Sequence, residues 1–499
     1  MKYRLLCLVA IFLAIFFTNT YAGQLTAISA TPRDNRAGVA TSYTFTFTTS
    51  GTGNGVNVGI PVDGKIVITF PGGFNVSEAE IASAVDVNAI NGGLIASAAG
   101  GIITITRDST GSPVAGNATV GVRVSMIYNH TLAASNYAVN IETQLKNGTV
   151  IDSGTSSTFA ITHGELATFQ FAAIPNQIAG NSFGITITAK DAYNNNVLSF
   201  NTSASLSDLT ASLTPTETTN FNNGVWNGSV TITKALPADK ITVIAQNKVG
   251  TSNEFAISPN TLHHFAIQNI TSPQTAGVSF GLQVIAEDIY GNKVTSFNGT
   301  ATLSDNTGTI APTTTGAFTA GQWNGNVSIT KKQKDIRITI ASNSVTSQSN
   351  QFNVQAGALD HFVIGNIVAQ TAGVPFVIEV TAKDQFNNQV DQFEETVNLS
   401  DDTGTITPAI SDSFTLGYWA GSVTITQLRT NNIIRVQRTA NGTQSGSSNG
   451  FNIGHNTLDH FTFASIPINQ TAGTGFNITI TAKDAYENTI SNFNGTASL

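Results

Sequence analysis

Residues 179–197 read AGNSFGITITAKDAYNNNV, and the phrase returns three times: AGVSFGLQVIAEDIYGNKV from Ala276, AGVPFVIEVTAKDQFNNQV from Ala372 and AGTGFNITITAKDAYENTI from Ala472. In the first copy Phe183, Ile185, Ile187 and Ala189 fall on one face, and Thr186, Thr188 and Lys190 on the other. That is the period-two pattern of a half-buried strand. The inward set is kept as Phe280, Leu282, Val284, Ala286, then Phe376, Ile378, Val380, Ala382, then Phe476, Ile478, Ile480, Ala482. The aspartates Asp191, Asp288, Asp384 and Asp484 lie 97, 96 and 100 residues apart. A solenoid repeat runs to roughly 20–50 residues, so each copy here is a whole small domain.

Further strands are predicted in the first copy at 169–171, 197–200, 204–207, 226–233, 241–245 and 255–257. About seven strands in so short a domain fit two sheets packed face to face. The chain is therefore read as all-β, with tandem immunoglobulin-like β-sandwich domains after a distinct, mostly β N-terminal domain. The expected divisions are a signal peptide at 1–22, the N-terminal domain at 23–163, repeats at 164–260, 261–357 and 358–456, and an incomplete repeat at 457–499. In the N-terminal domain strands are predicted at 43–47, 65–70, 102–106, 120–124 and 137–141. Ser77 with Glu80 matches a capping box and predicts a short helix over 77–82. The last copy ends at Leu499, the counterpart of Leu206, Leu303 and Leu399, before any Trp strand. Such a half-repeat leaves sheet edges unpaired, so the sequence is expected to be a piece of a longer protein, unstable after about residue 457.

The N-terminus carries Lys2 and Arg4 before an apolar run, Leu5 to Phe17, and then small residues at Thr20 and Ala22. This is the pattern of an export signal cleaved after about Ala22, and the run is short for a membrane span. The protein is expected to be secreted or at the cell surface, with no membrane span in the mature segment. The one cysteine, Cys7, lies inside the signal. The mature chain thus holds no disulfide, Cys nucleophile or thiolate metal site, and each domain relies on its own apolar core. Only 10% of residues are charged and the net charge is −8. A weakly acidic chain without a basic stripe excludes nucleic acid as a partner.

Four features bear on chemistry. Trp226, Trp323 and Trp419 occur once per complete repeat in VWNGSVTIT, QWNGNVSIT and YWAGSVTIT. Their strand parity assigns them to the core rather than to a sugar-stacking platform. Asp-x-Tyr/Phe-x-Asn recurs at Asp191, Tyr193, Asn195; Asp288, Tyr290, Asn292; Asp384, Phe386, Asn388; and Asp484, Tyr486, Asn488. Alternating oxygen side chains can begin a calcium loop, which makes the four aspartates calcium candidates, with Asp208, Asp305, Asp401 and Asp402 as further ligands if folding brings them close. The loop lacks the glycine and closing carboxylate of an EF-hand, however, and a hairpin turn, which Asp and Asn favour, is the expected reading. Lys190, Lys383 and Lys483 precede these aspartates on the wet face, an unfavourable place for an isopeptide cross-link, and Glu287 replaces the lysine in one repeat. His264, His361 and His460 stand one per repeat, too sparse for a metal site. Asn227, Asn298 and Asn326 head Asn-x-Ser/Thr sequons. No nucleophile elbow, HExxH or phosphate loop occurs, so an enzyme and its cofactors are not expected.

AGVPFVIEVTAKDQFNNQV, with LSDDTGTITP from Leu399 and YWAGSVTIT, resembles the bacterial immunoglobulin-like repeats of invasin and intimin type. Tyr290-Gly291-Asn292 is the best match to their Asp-x-Tyr-Gly-Asn turn, and Asn194, Asn387 and Glu487 stand where Gly291 stands. GKIVITFPGGF and GTVIDSG look like domains that precede such repeats in secreted prokaryotic proteins. The resemblance implies a non-catalytic stalk or adhesin presenting a distal module. Implied partners are surface glycans, host or neighbouring-cell receptors, or the chain itself. The alternatives are an accessory arm of a secreted polysaccharide-active enzyme and a self-assembling surface-layer or matrix protein.

Overall fold

The computed structural model describes residues 21–499, apart from 52, 57, 58, 85–89 and 441. The expected export signal thus lies outside the described residues, except for its last two. The chain forms two compact units, residues 1–258 and 259–499. Among the described residues the only helical element is one 3-10 turn, Gly53–Gly55, and no helix is long and apolar enough to cross a membrane.

The first unit opens with two sheets. One runs in spatial order Gly23–Gln24, Val150–Thr155, Asn140–Gln144, Lys65–Thr69, Ile102–Arg107 and Leu94–Ala99; the other runs Thr26–Pro32, Ala40–Thr48, Thr119–Tyr128 and Glu80–Ala84. Alternate residues of both, including Tyr43, Phe45, Phe47, Ile66, Ile68, Ile103 and Ile105, meet in one buried core. Arg107 is buried on the rim, where its guanidinium donates to the carbonyls of Ile60, Pro61, Asn91 and Ser112 and so ties three loops together.

Two expectations fail here. Residues 77–82 do not form a helix: the Asn75 side chain accepts from Ser77 N in a tight turn, and Glu80–Ala84 pairs with Thr119–Tyr128. Sheet pairing, which satisfies the backbone over a longer stretch, overrides the local capping signal. The strand expected at 137–141 is split. Ala134–Tyr137 pairs with Phe159–Ile161, whereas Asn140–Gln144 joins the six-stranded sheet. Val139 and Ser156 hold the crossing point by exchanging hydrogen bonds.

The rest of this unit is a sandwich. One layer orders Thr168–Phe171, Ser182–Lys190, Val225–Ile232 and Leu213–Thr214. The other is in two pieces, Gln177–Ile178 with Phe255–Ser258 and Leu236–Asp239, and Ser205–Asp208 with Ile241–Ala245 and Lys248–Thr251. Lys240 alone separates Leu236–Asp239 from Ile241–Ala245, so the pieces run on into each other. The strand expected at 197–200 is a turn, because Val197 N bonds back to Ala189 O and Phe200 N to Val197 O. Phe200 is nonetheless buried against Phe169 and Phe221. Trp226 lies opposite Ile187. A Cβ on Gly228 would come within 2.0 Å of the Trp226 ring, which explains the glycine two residues after each tryptophan.

The second unit repeats this order twice, around Phe280–Glu287 paired with Gln322–Ile329 and around Phe376–Asp384 paired with Tyr418–Val423. One core position differs between the three sandwiches. The bulged strand before the second layer buries Asp239 opposite Phe255, Ile336 opposite Phe352 and Asn432 opposite Phe451. Asp239 Oδ2 and both amide atoms of Asn432 have no hydrogen-bond partner among the described residues. Burial pushes the Asp239 carboxyl above its ordinary range, against the pull of the Leu209 and Lys240 N–H groups.

After residue 457 the described structure holds one two-stranded sheet, His460–Phe463 with Ile480–Lys483. The inward set expected from Phe476 is corrected: Phe476 and Ile478 are 50% and 36% exposed, since no second layer lies over them among the described residues. Apolar side chains left in water contribute no burial energy. Limited proteolysis is expected to cut after about residue 457 before it cuts within 23–456; a resistant C-terminal segment would contradict this.

Candidate functional site

The repeated Asp-x-Tyr/Phe-x-Asn stretch closes the hairpin that follows the long first strand. Asp191 N donates to Asn195 O and Asn194 N to Asp191 O. The residue between aromatic and Asn takes a left-handed backbone, with φ of 68° at Asn194, 74° at Gly291, 64° at Asn387 and 67° at Glu487. Glycine and asparagine suit that region, and Glu487 bears the steric cost of a β-carbon there.

Each aspartate is buried, yet each carboxylate is filled. Asp191 Oδ1 accepts from Tyr193 N and Asn195 N at 2.9 and 2.8 Å. Its Oδ2 accepts from Asn195 Nδ2 and from Gly164 N, at the start of the repeat, at 2.9 and 2.7 Å. Asp288 takes the same donors from Tyr290, Asn292 and Asn260. Asp384 takes them from Phe386, Asn388 and Gly357. Asp484 takes them from Tyr486, Asn488 and Asn456. The carboxylate therefore pins the incoming chain to the turn.

The asparagine then reaches out of its own repeat. Asn195 Nδ2 donates to Thr131 O at 2.8 Å, and Ala133 N donates to Asn195 Oδ1 at 2.9 Å. Asn388 does the same with Thr330 O and Lys332 N at 2.7 and 2.9 Å. Asn488 does so with Thr426 O and Leu428 N at 2.8 and 2.7 Å. The side-chain amide offers two N–H donors and a carbonyl acceptor; one N–H goes to the aspartate, and the other meets a carbonyl while the oxygen meets the N–H two residues later, as a neighbouring strand would. The aromatic seats on a glycine of the same earlier domain, whose N–H bonds to the residue just before that segment: Gly38 to His130 O, Gly277 to Ile329 O and Gly373 to Ile425 O. A Cβ on Gly38 would strike Tyr193, one on Gly277 would strike Phe386 and one on Gly373 would strike Tyr486, each within 2.2 Å. Lys332 adds a hydrogen bond to Gln389 O and an ion pair with Asp391.

Within each unit the motif is thus a joint between consecutive domains. Sequence alone located its turn and missed its outward asparagine. The available signal was the invariance of the Asn at the fourth residue after each Asp, beside a freely varying third residue.

The remaining candidates stand apart from it. Asp208, Asp305 and Asp401 cap turns of their own, accepting from Ser212 and Leu213, Thr309 and Ile310, and Thr405 and Ile406. Asp402 pairs with Arg435. Among the described residues no group of three or more His, Cys, Asp or Glu could hold a metal ion. Trp226, Trp323 and Trp419 are 5%, 8% and 7% exposed and offer a sugar no stacking face. Lys190 Nζ donates to Asn194 O and Asn196 Oδ1 at an exposed turn. His264 pairs with Glu287, His361 with Asp360, and His460 with Asp459 and Glu487.

Fold and joints together define a run of tandem immunoglobulin-like β-sandwiches. No protein-family model matches the chain, and no curated protein matches it. Among solved structures it is similar to surface layer protein SbsC, domains 1–6, at 15% identity and TM-score 0.20, covering 93% of this chain and 58% of that one. It thus spans less than two thirds of that protein's solved length. It is also similar to invasin, a bacterial integrin-binding protein, at 13% identity and TM-score 0.28, over 88% of this chain and 80% of that one. A third likeness is to the D1–D4 ectodomain fragment of ICAM-5, at 7% identity and TM-score 0.25, over 85% and 98%. The immunoglobulin-like assignment rests on the strand order and registers described above.

Burial raises the joint carboxyls, but the Asn and backbone donors outweigh it and hold Asp191, Asp288, Asp384 and Asp484 below their ordinary 3.8. A folded-state value below the unfolded one stabilises fully above about pH 5, and that share is lost as pH falls below about 4. Melting curves against pH should therefore drop in acid, and Asp384→Asn should flatten its repeat's share of the drop while lowering the neutral midpoint. Calcium would have to displace N–H donors already in place. Added calcium is expected to leave the melting midpoint unmoved, and a rise would restore the calcium loop.

Proposed function

We propose that the chain is a non-catalytic, exported surface protein whose immunoglobulin-like domains act as a stalk or spacer. The observation that carries this is the joint. An asparagine amide, preset by a buried aspartate, docks on the backbone of the preceding domain at Asn195, Asn388 and Asn488. A protein that needed only a row of independent binding modules could join them by flexible linkers. Within each unit, joints fixed by hydrogen bonds and an aromatic seat instead hold successive domains at set angles, as a distance-setting part requires. The expected export signal, the lack of cysteine after Cys7 and the absence of catalytic motifs in the sequence agree with it.

A joint hydrogen bond lost inside a partly buried contact costs about 1–3 kcal/mol. Asn195→Ala, Asn388→Ala and Asn488→Ala together should leave each sandwich folded by circular dichroism. Small-angle scattering of the parent and the triple variant should differ, because loosened joints within each unit sample more angles. A triple variant with the parent's scattering curve would overturn the stalk.

A further inference from the structure

Among the described residues one buried carboxyl oxygen, Asp239 Oδ2, accepts no hydrogen bond. The side chain is fully buried, and its other oxygen accepts from Leu209 N and Lys240 N at 3.1 and 2.8 Å. The joint aspartates, also buried, have donors on both oxygens, as at Asp191. An unfilled oxygen on a buried charge is costly, so the state of this carboxyl needs a physical account.

What lies beside Asp239 is a second carboxyl. Leu209 N ties the turn after Ser205–Asp208 to it, and the Asp208 side chain comes within hydrogen-bonding reach. Asp208 is supplied as a carboxylate. Its Oδ1 accepts from Ser212 N and Leu213 N at 2.8 and 3.0 Å, and its Oδ2 accepts from Thr210 N at 3.1 Å and from the Thr210 hydroxyl. Donors of this kind favour the charged form, and two carboxylates sharing one site resist ionising together. The charged groups on the packed elements do not relieve this. Lys240, next in the chain, spends its ammonium on Glu254 at 3.1 Å, beside Phe255 of the paired strand.

We propose that Asp239 holds a proton on Oδ2 and donates it to Asp208, and that loss of this proton to solvent releases the strand Leu236–Asp239. That strand is lightly held: it is bulged, and it meets Phe255–Ser258 at Leu236 opposite Ile257 and at Asp239 opposite Phe255. Once ionised, Asp239 faces the Asp208 charge out of reach of water, and it regains water by leaving the sheet. The other two sandwiches lack the device, because Ile336 and Asn432 stand at the same place and neither ionises. Burial and the Asp208 charge raise the Asp239 carboxyl. A group raised on folding stabilises fully below its unfolded value, about 4, and that share is lost as pH climbs through the folded value. The joint aspartates act in the opposite sense, losing their share in acid. The first sandwich therefore loosens as pH rises. The inference goes beyond the stalk: it gives one domain of the row a pH response of its own, whatever the joints do.

The test is hydrogen exchange read by mass spectrometry on the chain from Gly23 onward, between about pH 5 and about pH 8, where the joint carboxylates keep their full share. With the intrinsic pH dependence of exchange removed, protection over 236–258 should fall several-fold as pH rises, while protection over the matching 333–355 stays level. Asp239→Asn supplies an N–H in place of the acid's O–H and should abolish the fall. Asp239→Ile, which copies the second sandwich, should abolish it too. Asp208→Asn removes the charge that Asp239 faces and should shrink it. Level protection over 236–258 in the parent, or a fall that persists undiminished in these variants, would overturn the proposal.

Discussion

A carboxylate held in a ring of N–H donors is the interaction on which the architecture turns. Burying an aspartate is costly unless its oxygens are satisfied. At Asp191, Asp288, Asp384 and Asp484 the donors come from the turn, from the Asn side chain and from the chain entering the repeat. One side chain therefore fixes the hairpin, the direction of the linker and the rotamer of the asparagine. The outward contact depends on that last step, because an amide free to rotate would lose entropy on docking. Held in advance, it meets the preceding domain as a ready-made strand edge.

Much of this was legible in the sequence. Strict alternation at Phe183, Ile185, Ile187 and Ala189 named the long strand, and the same parity placed Trp226 inside. Period-two burial is a local signal, which is why a single chain carries it. The failures were non-local. The segment at 77–82 has the composition of a helix start, but the open edge of Thr119–Tyr128 claims it. Val197 and Phe200 are apolar because they are buried, and burial in a turn looks like burial in a strand. The joint was half legible. Its turn chemistry lies within five residues, whereas its partners, such as Thr330 and Lys332, lie more than fifty residues away.

The joints hold with little use of charge. Their specificity comes from amide and backbone hydrogen bonds, with the Lys332 to Asp391 ion pair as an addition. Such contacts are hardly screened by salt, unlike exposed ion pairs. Domains joined this way keep these contacts across a wide range of ionic strength. The threonines and asparagines that fill the wet faces provide solubility without forming long-range fields.

The position shared by Asp239, Ile336 and Asn432 has a mechanical meaning. Three sandwiches with one fold and one core plan differ there in how well a buried side chain suits its surroundings. Burial resists ionisation of the Asp239 carboxyl and its Oδ2 has no hydrogen-bond partner among the described residues, and Ile336 meets no such penalty. Under tension the domains would not yield together. The one built on Asp239 would give way before the one built on Ile336. A pulled chain would then lengthen in graded steps, with the weakest domain acting as a fuse that spares the rest.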